Sequence, residues 1–240
     1  MAKQGNTKSG SGKRRWIKWI FLGPILAFIL IQLYFFVQVC WFVHFNPGST
    51  SFMRQQLSEL REKNPKAELK HQWVPYERIS TNLKRAVVAS EDANFADHPG
   101  VDFDALERAY ERNNRKHKVV GGGSTITQQL AKNLFLSGSK SYLRKGQEMI
   151  IAFMLETMMD KRRILEVYLN VVEFGRGVFG AEAAARYYFR TSAANLAPAQ
   201  AARLAVMLPN PRYYDTHRST NYLVKRTNLI QRRMRAAELP

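Results

Sequence analysis

An uncharged apolar run near the N-terminus constrains the fold more than any other feature of the chain. Between Ile20 and Val43 there is no Asp, Glu, Lys or Arg, and most of the residues are Ile, Leu, Phe and Val. A helix of this length reaches roughly 35 Å, which is enough to cross a hydrocarbon core of about 30 Å. Trp19 and Trp41 stand near its ends, where indole rings favour the membrane interface. The sequence therefore predicts a transmembrane helix over residues 17–45.

A cleaved signal peptide is the alternative interpretation of this run. The apolar region of a signal peptide has about 7–15 residues and precedes a small-residue cleavage site. This run is longer and no such site follows it, so an uncleaved anchor is favoured. The residues before it are basic, and no acidic residue occurs before Glu59. Since basic flanks stay in the cytoplasm, we expect residues 1–16 to be a cytoplasmic tail and the rest of the chain to lie outside.

Roughly 195 residues follow the anchor, which suits one domain. The polar stretch that begins this part contains Pro47-Gly48-Ser49 and predicts a juxtamembrane stalk with a short helix over residues 46–74, and the domain is expected over residues 75–240. The only cysteine is Cys40, inside the apolar run, so the outer domain has no disulfide and depends on its core. Apolar residues recur at helical spacing and no alternating strand pattern of useful length is present, which predicts a mainly α domain.

The formal net charge of +18 narrows the choice of partners. A basic protein can bind nucleic acid, anionic lipid or a phosphorylated substrate, or it can simply carry a solvated basic surface. An outward-facing domain on a membrane anchor argues against nucleic acid. Anionic headgroups or a pyrophosphate lipid fit the charge better.

The first segment that could carry chemistry begins at Glu91. This glutamate ends an apolar helix pattern that Ser80 or Thr81 is expected to cap. Burial at that helix end would raise the pKa of its carboxyl and suit it to proton transfer. A Glu-Asp pair at a helix end is more often surface charge, but Phe95 and His98 close behind it favour a functional site. Asp92 could hold a divalent cation or take part in a hydrogen-bond network instead.

A second segment follows three glycines, Gly121–Gly123. Ser124 is expected to cap the next helix. Backbone amides at a helix start attract anions, so this segment could cradle a pyrophosphate, although the lysine of a Walker loop is missing. Gln128, Gln129 and Lys132 are suitable partners for sugar hydroxyls and phosphate.

A third group lies on one predicted helix face, where Arg144 and Lys145 stand four and three residues before Glu148. This is either an ordinary set of helical ion pairs or a carboxylate beside cations that hold a phosphate. A departing diphosphate needs such positive charge. Neither an H-E-x-x-H motif nor a cysteine pair is present, so a zinc site is not supported.

In this order, the segments resemble glycosyltransferase family 51, the peptidoglycan glycosyltransferases, in their monofunctional biosynthetic form. The resemblance covers roughly residues 75–213. It rests on five motifs: Glu91-Asp92-x-x-Phe95-x-x-His98-x-Gly100; Gly122-Gly123-Ser124-Thr125-Ile126-Thr127-Gln128-Gln129-Leu130-x-Lys132-Asn133; Arg144-Lys145-x-x-Glu148, ending at Leu155-Glu156; Arg163-Ile164-Leu165-Glu166-x-Tyr168-Leu169-Asn170, then Gly175, Gly180 and residues 183–189; and Ala201-Ala202-x-Leu204-Ala205, then Leu208-Pro209-Asn210-Pro211. One departure is Gln200, where the family often has Glu, and this position is interpreted as structural.

The resemblance implies a lysozyme-like, mainly α domain, partly sunk in the membrane behind one N-terminal transmembrane helix. It implies an enzyme that joins lipid II units into β-1,4-linked glycan strands, with inversion, and releases undecaprenyl diphosphate. The expected place is the bacterial inner membrane, crossed once, with the N-terminus cytoplasmic and the catalytic domain periplasmic. The expected partners are lipid II, the growing lipid-linked glycan, the membrane and other cell-wall synthesis proteins.

By the same resemblance, Glu91 is the general base for the acceptor 4-hydroxyl, and Glu148 is a second catalytic carboxylate that serves the donor diphosphate. The substrate-binding residues that it implies are Asp92, Phe95, His98, Ser124, Thr125, Gln128, Gln129, Lys132, Arg144, Lys145 and Asn170. Asp92 and Glu148 are also candidates for contact with a divalent cation, Mg²⁺ or Mn²⁺, that would neutralise the leaving group.

Two other functions are compatible with parts of this pattern. A lytic hydrolase would also use a glutamate on a lysozyme-like fold. A non-catalytic membrane scaffold could retain the fold and recruit other enzymes. The cations Arg144, Lys145 and Lys132 favour the transferase over the hydrolase, and the presence of both Glu91 and Glu148 argues against the scaffold.

Overall fold

A computed structural model describes residues 11–115, 123–136, 138 and 141–240. Most of the predicted cytoplasmic tail, residues 1–16, lies outside these ranges. So do Gly121 and Gly122 of the glycine segment.

The first helix, α1, extends over Ser11–His44. Its segment Leu22–His44 is long and apolar enough to cross a membrane. With the exception of Gly23, every residue from Leu22 to Ile31 is exposed. From Gln32 onward one side of the helix is partly or fully buried, with Val39 completely buried. Residues 22–31 of α1 therefore make little contact with the rest of the described protein, and residues 32–44 pack on the domain.

Ten further α-helices follow in the described ranges, and they account for most of the domain, as predicted. They are α2 Ser51–Arg61, α3 Thr81–Glu91, α4 Phe103–Arg115, α5 Ile126–Phe135, α6 Tyr142–Met158, α7 Lys161–Val171, α8 Ala181–Phe189, α9 Pro198–Met207, α10 Pro211–Thr216 and α11 Asn221–Arg233. Short 3₁₀ turns occur at Tyr76–Arg78, Ala193–Asn195 and Met234–Ala236.

A small sheet accompanies the helices. Its strands are β1 Lys70–His71, β2 Glu173–Gly175 and β3 Val178–Phe179, in the order β1-β3-β2. β1 pairs in parallel with β3, and β2 pairs in antiparallel with β3. Strands of two or three residues are too short to show the alternation by which a strand is recognised in a sequence, which is why the sheet was not predicted.

The core is formed by two groups of helices. α3 packs against α9 and α11, and α5 packs against α6 and α7. Tyr168, Phe95, Phe174 and Phe179 are among its largest fully buried side chains. This packing brings the end of α3 and the faces of α5 and α6 into one region.

The helix starts follow the capping rules, with one difference from the sequence prediction. Ser80 caps α3 as expected, because its hydroxyl accepts a hydrogen bond from the Leu83 amide. α5 is capped by Thr125 and not by Ser124. The Thr125 hydroxyl accepts from the Gln128 amide, and the Gln128 side chain accepts from the Thr125 amide, so the two residues form a capping box.

The segment predicted as a stalk is packed at two points. Helix α2 lies against α5 and buries Met53 and Gln56. Further along, β1 joins the sheet. The Pro-Gly-Ser composition of this segment indicated a linker, but the apolar side of α2 has a partner in the fold. The domain boundary at residue 75 stays a prediction.

Gln200, the departure in the fifth motif, closes the first turn of α9. Its side-chain oxygen accepts a hydrogen bond from the Ala197 amide at 2.9 Å. A glutamate would accept the same bond, so the substitution leaves the local structure unchanged.

Candidate active site

Glu91 is the last residue of α3, and its side chain is partly buried. Its Oε2 accepts a hydrogen bond from Gln129 Nε2 at 2.9 Å, and its Oε1 lies 3.4 Å from the Ser90 hydroxyl. Burial raises the pKa of the Glu91 carboxyl above its ordinary value, while these hydrogen bonds and the charge of Arg226 act in the opposite direction. The direction of this pKa shift agrees with the expectation from the sequence, and the role of Glu91 in proton transfer stays a prediction.

Tyr168 fixes the orientation of Gln129. Its hydroxyl donates to Gln129 Oε1 at 2.9 Å, which leaves the Gln129 amide nitrogen pointing at Glu91. Tyr168 is completely buried, and burial raises the pKa of its phenol well above the ordinary value, so it remains a donor. The sequence placed Tyr168 in the fourth motif but gave it no role, because a contact across 39 residues leaves no local pattern.

Asp92 joins the end of α3 to the start of α5. Its Oδ1 lies 2.8 Å from His98 Nε2, and its Oδ2 accepts from the Ile126 amide at 3.0 Å. The side chain is buried, and both oxygens are engaged. The Asp92 carboxylate and the Thr125 hydroxyl therefore occupy the α5 N-terminus where a pyrophosphate cradle was expected.

Four other residues predicted to bind substrate are buried behind the site: Phe95, Thr125, Gln128 and Asn170. Thr125 and Gln128 complete the cap of α5. The Asn170 side chain accepts from the Val74 amide and donates to the Val74 carbonyl, both at 2.9 Å. These side chains position the walls of the site and do not form its surface.

The third motif forms a compact ionic cluster on α6. Arg144 donates to Glu148 Oε2 at 2.6 Å, and Lys145 donates to Glu148 Oε1 at 2.5 Å and to the Ser124 hydroxyl at 3.1 Å. The Glu148 side chain is 4% exposed, and those of Arg144 and Lys145 are 18% and 36% exposed. Two cations around one buried carboxylate leave an excess of positive charge on the accessible side.

Lys132, on α5, interacts electrostatically with both glutamates. Burial lowers the pKa of its ammonium, the charges of Glu148 and Glu91 raise it, and those of Arg144 and Lys145 lower it further. Lys132 and Gln129 line a cavity of about 410 Å³ that continues to Arg212, a residue held by ion pairs to two glutamates. The site therefore contains a carboxyl with a raised pKa, Glu91, a cation on α5, Lys132, and the ionic cluster on α6.

A further ionic link, which the sequence did not reveal, ties three helices together beside the site. Glu156 accepts from the Thr127 hydroxyl at 2.5 Å and from Lys161 at 2.8 Å. Lys161 also donates to the His98 carbonyl at 2.6 Å. The acidic residue at the end of the third motif was the one available signal, and its partners are distant in sequence.

The side chains do not fit the divalent cation that was considered for Asp92 and Glu148. Both oxygens of each carboxylate already accept hydrogen bonds within the fold, and the acceptors of Glu148 are filled by two cations. Within the described residues, no group of three or more His, Cys, Asp or Glu could hold a metal ion. We therefore derive no step through a metal.

Comparison with known proteins identifies the family. A family model described as Transglycosylase matches residues 55–235, which is more than half of the chain. The chain belongs to the transglycosylase family. The predicted family, the mainly α lysozyme-like fold and the class of enzyme, a glycosyltransferase, are thereby confirmed.

Relatives of this transglycosylase match it over nearly its whole length. It is 69% identical over 227 residues to the biosynthetic peptidoglycan transglycosylase of Herminiimonas arsenicoxydans, with 95% of the chain and 98% of the relative covered. It is 60% identical over 230 residues to the protein of that name from Bordetella pertussis, covering 94% and 95%. For the protein of the same name from Chromobacterium violaceum the identity is 57% over 221 residues, covering 92% and 97%.

Proposed function

We propose that this transglycosylase is a peptidoglycan glycosyltransferase that polymerises lipid II into β-1,4-linked glycan strands and releases undecaprenyl diphosphate. The observation that carries the proposal is that Glu91, a partly buried carboxyl with a raised pKa, occurs together with a positive cluster on α6. Lys132 interacts electrostatically with both. The names of relatives that share nearly its whole length support peptidoglycan as the polymer.

Glu91 is the general base of this proposal. The acceptor 4-hydroxyl oxygen attacks the anomeric carbon of the donor, and its proton passes to the Glu91 carboxylate. Gln129 holds the carboxylate in place from the other side through its hydrogen bond to Oε2. Because the bond to the acceptor forms as the bond to the diphosphate breaks, a single displacement inverts the anomeric centre.

The cations of α6 and α5 receive the leaving group. The diphosphate takes the electron pair of the broken bond and gains negative charge, which the side chains of Arg144, Lys145 and Lys132 stabilise. Glu148 holds Arg144 and Lys145 in position through two short ion pairs. Ser124, Gln129 and Lys132 remain the candidates for contact with sugar or phosphate, because they are not fully buried.

The location follows from α1 and from the charge around it. We propose that α1 crosses the inner membrane once, with the basic N-terminus in the cytoplasm and the catalytic domain in the periplasm. The exposed apolar residues 22–31 support a lipid contact. A substrate carried on a lipid then reaches the enzyme by diffusion within the membrane, where the growing glycan and other cell-wall synthesis proteins also meet it.

The test is polymerisation of labelled lipid II by the purified full-length protein, compared with Glu91→Gln. Glutamine keeps the shape and cannot act as a base, so turnover is expected to fall about 10²- to 10⁴-fold. Glu111→Gln, at an exposed ion pair on α4, is the matched control and is expected to retain wild-type turnover. If the wild type releases fragments from finished glycan and makes no polymer, the enzyme is a hydrolase. Full activity of Glu91→Gln would remove Glu91 from the role of base.

A further inference from the structure

Two glutamines from distant parts of the chain form a reciprocal pair between α1 and α6. Gln32 Nε2 donates to Gln147 Oε1 at 2.9 Å, and Gln147 Nε2 donates to Gln32 Oε1 at 2.9 Å. The two residues are 115 positions apart. Each side-chain amide thus donates one N–H to the other and accepts one through its carbonyl oxygen.

An apolar groove adjoins this pair. One turn above Gln32, an open groove of about 450 Å³ between α1 and α6 is lined almost only by apolar side chains, among them Phe36, Ile150 and Phe153. Within a membrane such a groove faces lipid and offers the amides few other partners, so separating the pair leaves polar groups unsatisfied. Lipid tails are as apolar as leucine and give two apolar helices no preferred register, whereas a hydrogen-bonded pair does.

Gln32 is also the point at which α1 leaves the domain. Except for Gly23, residues 22–31 are exposed, and from Gln32 onward one side of the helix is partly or fully buried. Nearer the C-terminal end of α1, Arg163 donates to the carbonyls of Phe42 and Phe45. Phe42 lies ten residues after Gln32, about 15 Å along the helix. Arg163 holds this end of α1, the Phe42 ring packs on Phe135 of α5, and the glutamine pair adds a polar contact with α6.

The partner on α6 adjoins the ionic cluster. Gln147 directly precedes Glu148 in the sequence and follows Lys145 by two residues. Any movement of α6 against α1 at this level would move the cations with it. Gln32 itself lies outside the residues that the family model matches, 55–235.

We propose that Gln32 is a positioning residue for the reaction: paired with Gln147, it sets the register of the membrane helix against α6 and so the place of Arg144 and Lys145 relative to the bilayer. This inference rests on the proposed function. It makes α1 part of the catalytic apparatus as well as its anchor.

The experiment uses the full-length protein in lipid vesicles with labelled lipid II. Gln32→Leu, Gln147→Leu and the double variant are each expected to lower kcat about three- to tenfold with little change in KM, because the misplaced cations act on the departing charge. The double variant should be no slower than either single variant, since all three break one interaction. Gln38→Leu is the matched control, because it removes a glutamine from the same helix for which no hydrogen bond occurs in the described structure, and it should behave as the wild type.

Hydrogen exchange of α6 is the second readout. Exchange over residues 142–158 is expected to rise in all three variants while the unfolding temperature stays unchanged. Wild-type kcat in Gln32→Leu, or losses that multiply in the double variant, would overturn the pair as a positioning device. A lower unfolding temperature in step with the loss of activity would show a purely structural role and overturn it as well.

The same readout separates this inference from the proposed function. If the wild type does not polymerise lipid II, the proposed function fails, and the exchange of α6 still decides whether Gln32 holds that helix. Unchanged exchange in Gln32→Leu would then refute the inference on its own.

Discussion

Glu91 and Glu148 are both held by hydrogen bonds near Lys132, but the partners of the two carboxylates differ. Glu91 accepts from the neutral side chains of Gln129 and Ser90, whereas Glu148 accepts from Arg144 and Lys145. The neutral donors orient the Glu91 carboxyl and lower its pKa less than burial raises it. Its pKa therefore lies above the ordinary value, which suits Glu91 to exchange a proton. Glu148 instead lies between two cations, and the cluster of Arg144, Lys145 and Glu148 carries a net positive charge that attracts anions. In the proposed function, the same residue type thus serves proton transfer in one place and charge stabilisation in the other.

After Glu91→Gln, the largest effect is expected from removing a cation of the α6 cluster. Lys145→Ala should lower turnover about 10²-fold, since it removes a positive charge that stabilises the leaving diphosphate. The measurement is lipid II polymerisation at saturating substrate. Arg115→Ala, which breaks an exposed ion pair on α4, is the control and should have little effect. Near-wild-type turnover of a folded Lys145→Ala protein would contradict the role given to the cluster.

A smaller effect is expected on the neutral side of the site. Gln129→Leu removes the donor that favours ionised Glu91, so turnover should fall about tenfold, the effect of about 1.4 kcal/mol. The pKa of Glu91 should rise further, because the hydrogen bond from Gln129 lowers it in the wild type. A base works only when deprotonated, so the acidic limb of the kcat/KM profile should move to higher pH. A limb that moves to lower pH, or stays in place, would mean that Glu91 does not titrate there.

The smallest effect is expected from Tyr168→Phe. This change removes the hydroxyl that orients Gln129, but the Gln129 amide can still reach Glu91. One neutral hydrogen bond contributes about 0.5–1.5 kcal/mol, so a loss of about two- to tenfold in kcat/KM is expected, with a smaller shift of the acidic limb in the same direction as Gln129→Leu. The pH profiles of the two variants should be measured together. An effect of Tyr168→Phe larger than that of Gln129→Leu would show that Tyr168 acts otherwise than through Gln129.

The sequence was sufficient for features that depend on neighbours along the chain. The cap at Ser80, the carboxyl at the end of α3 and the ion pairs within one face of α6 all follow from spacings of three or four residues. Contacts between helices were not accessible in this way. Tyr168 reaches Gln129 across 39 residues, and Gln32 reaches Gln147 across 115.

Burial explains the remaining difference. Thr125 and Asn170 belong to motifs whose residue types suit a sugar or a phosphate, but their side chains form hydrogen bonds with backbone carbonyls of the protein itself. A sequence motif indicates which residues a site needs. It does not distinguish the residues that contact a ligand from those that pack behind the site. Only the packed structure makes that distinction.

The occupied start of α5 has a consequence for inhibitor design. Because Asp92 and Thr125 already accept from the amides of Ile126 and Gln128, two of the donors at that helix end are engaged within the protein. A compound that mimics a diphosphate gains less by reaching for them. Selectivity for this enzyme should come instead from matching the spacing of its side-chain cations, with a neutral hydrogen-bond donor placed opposite Gln129.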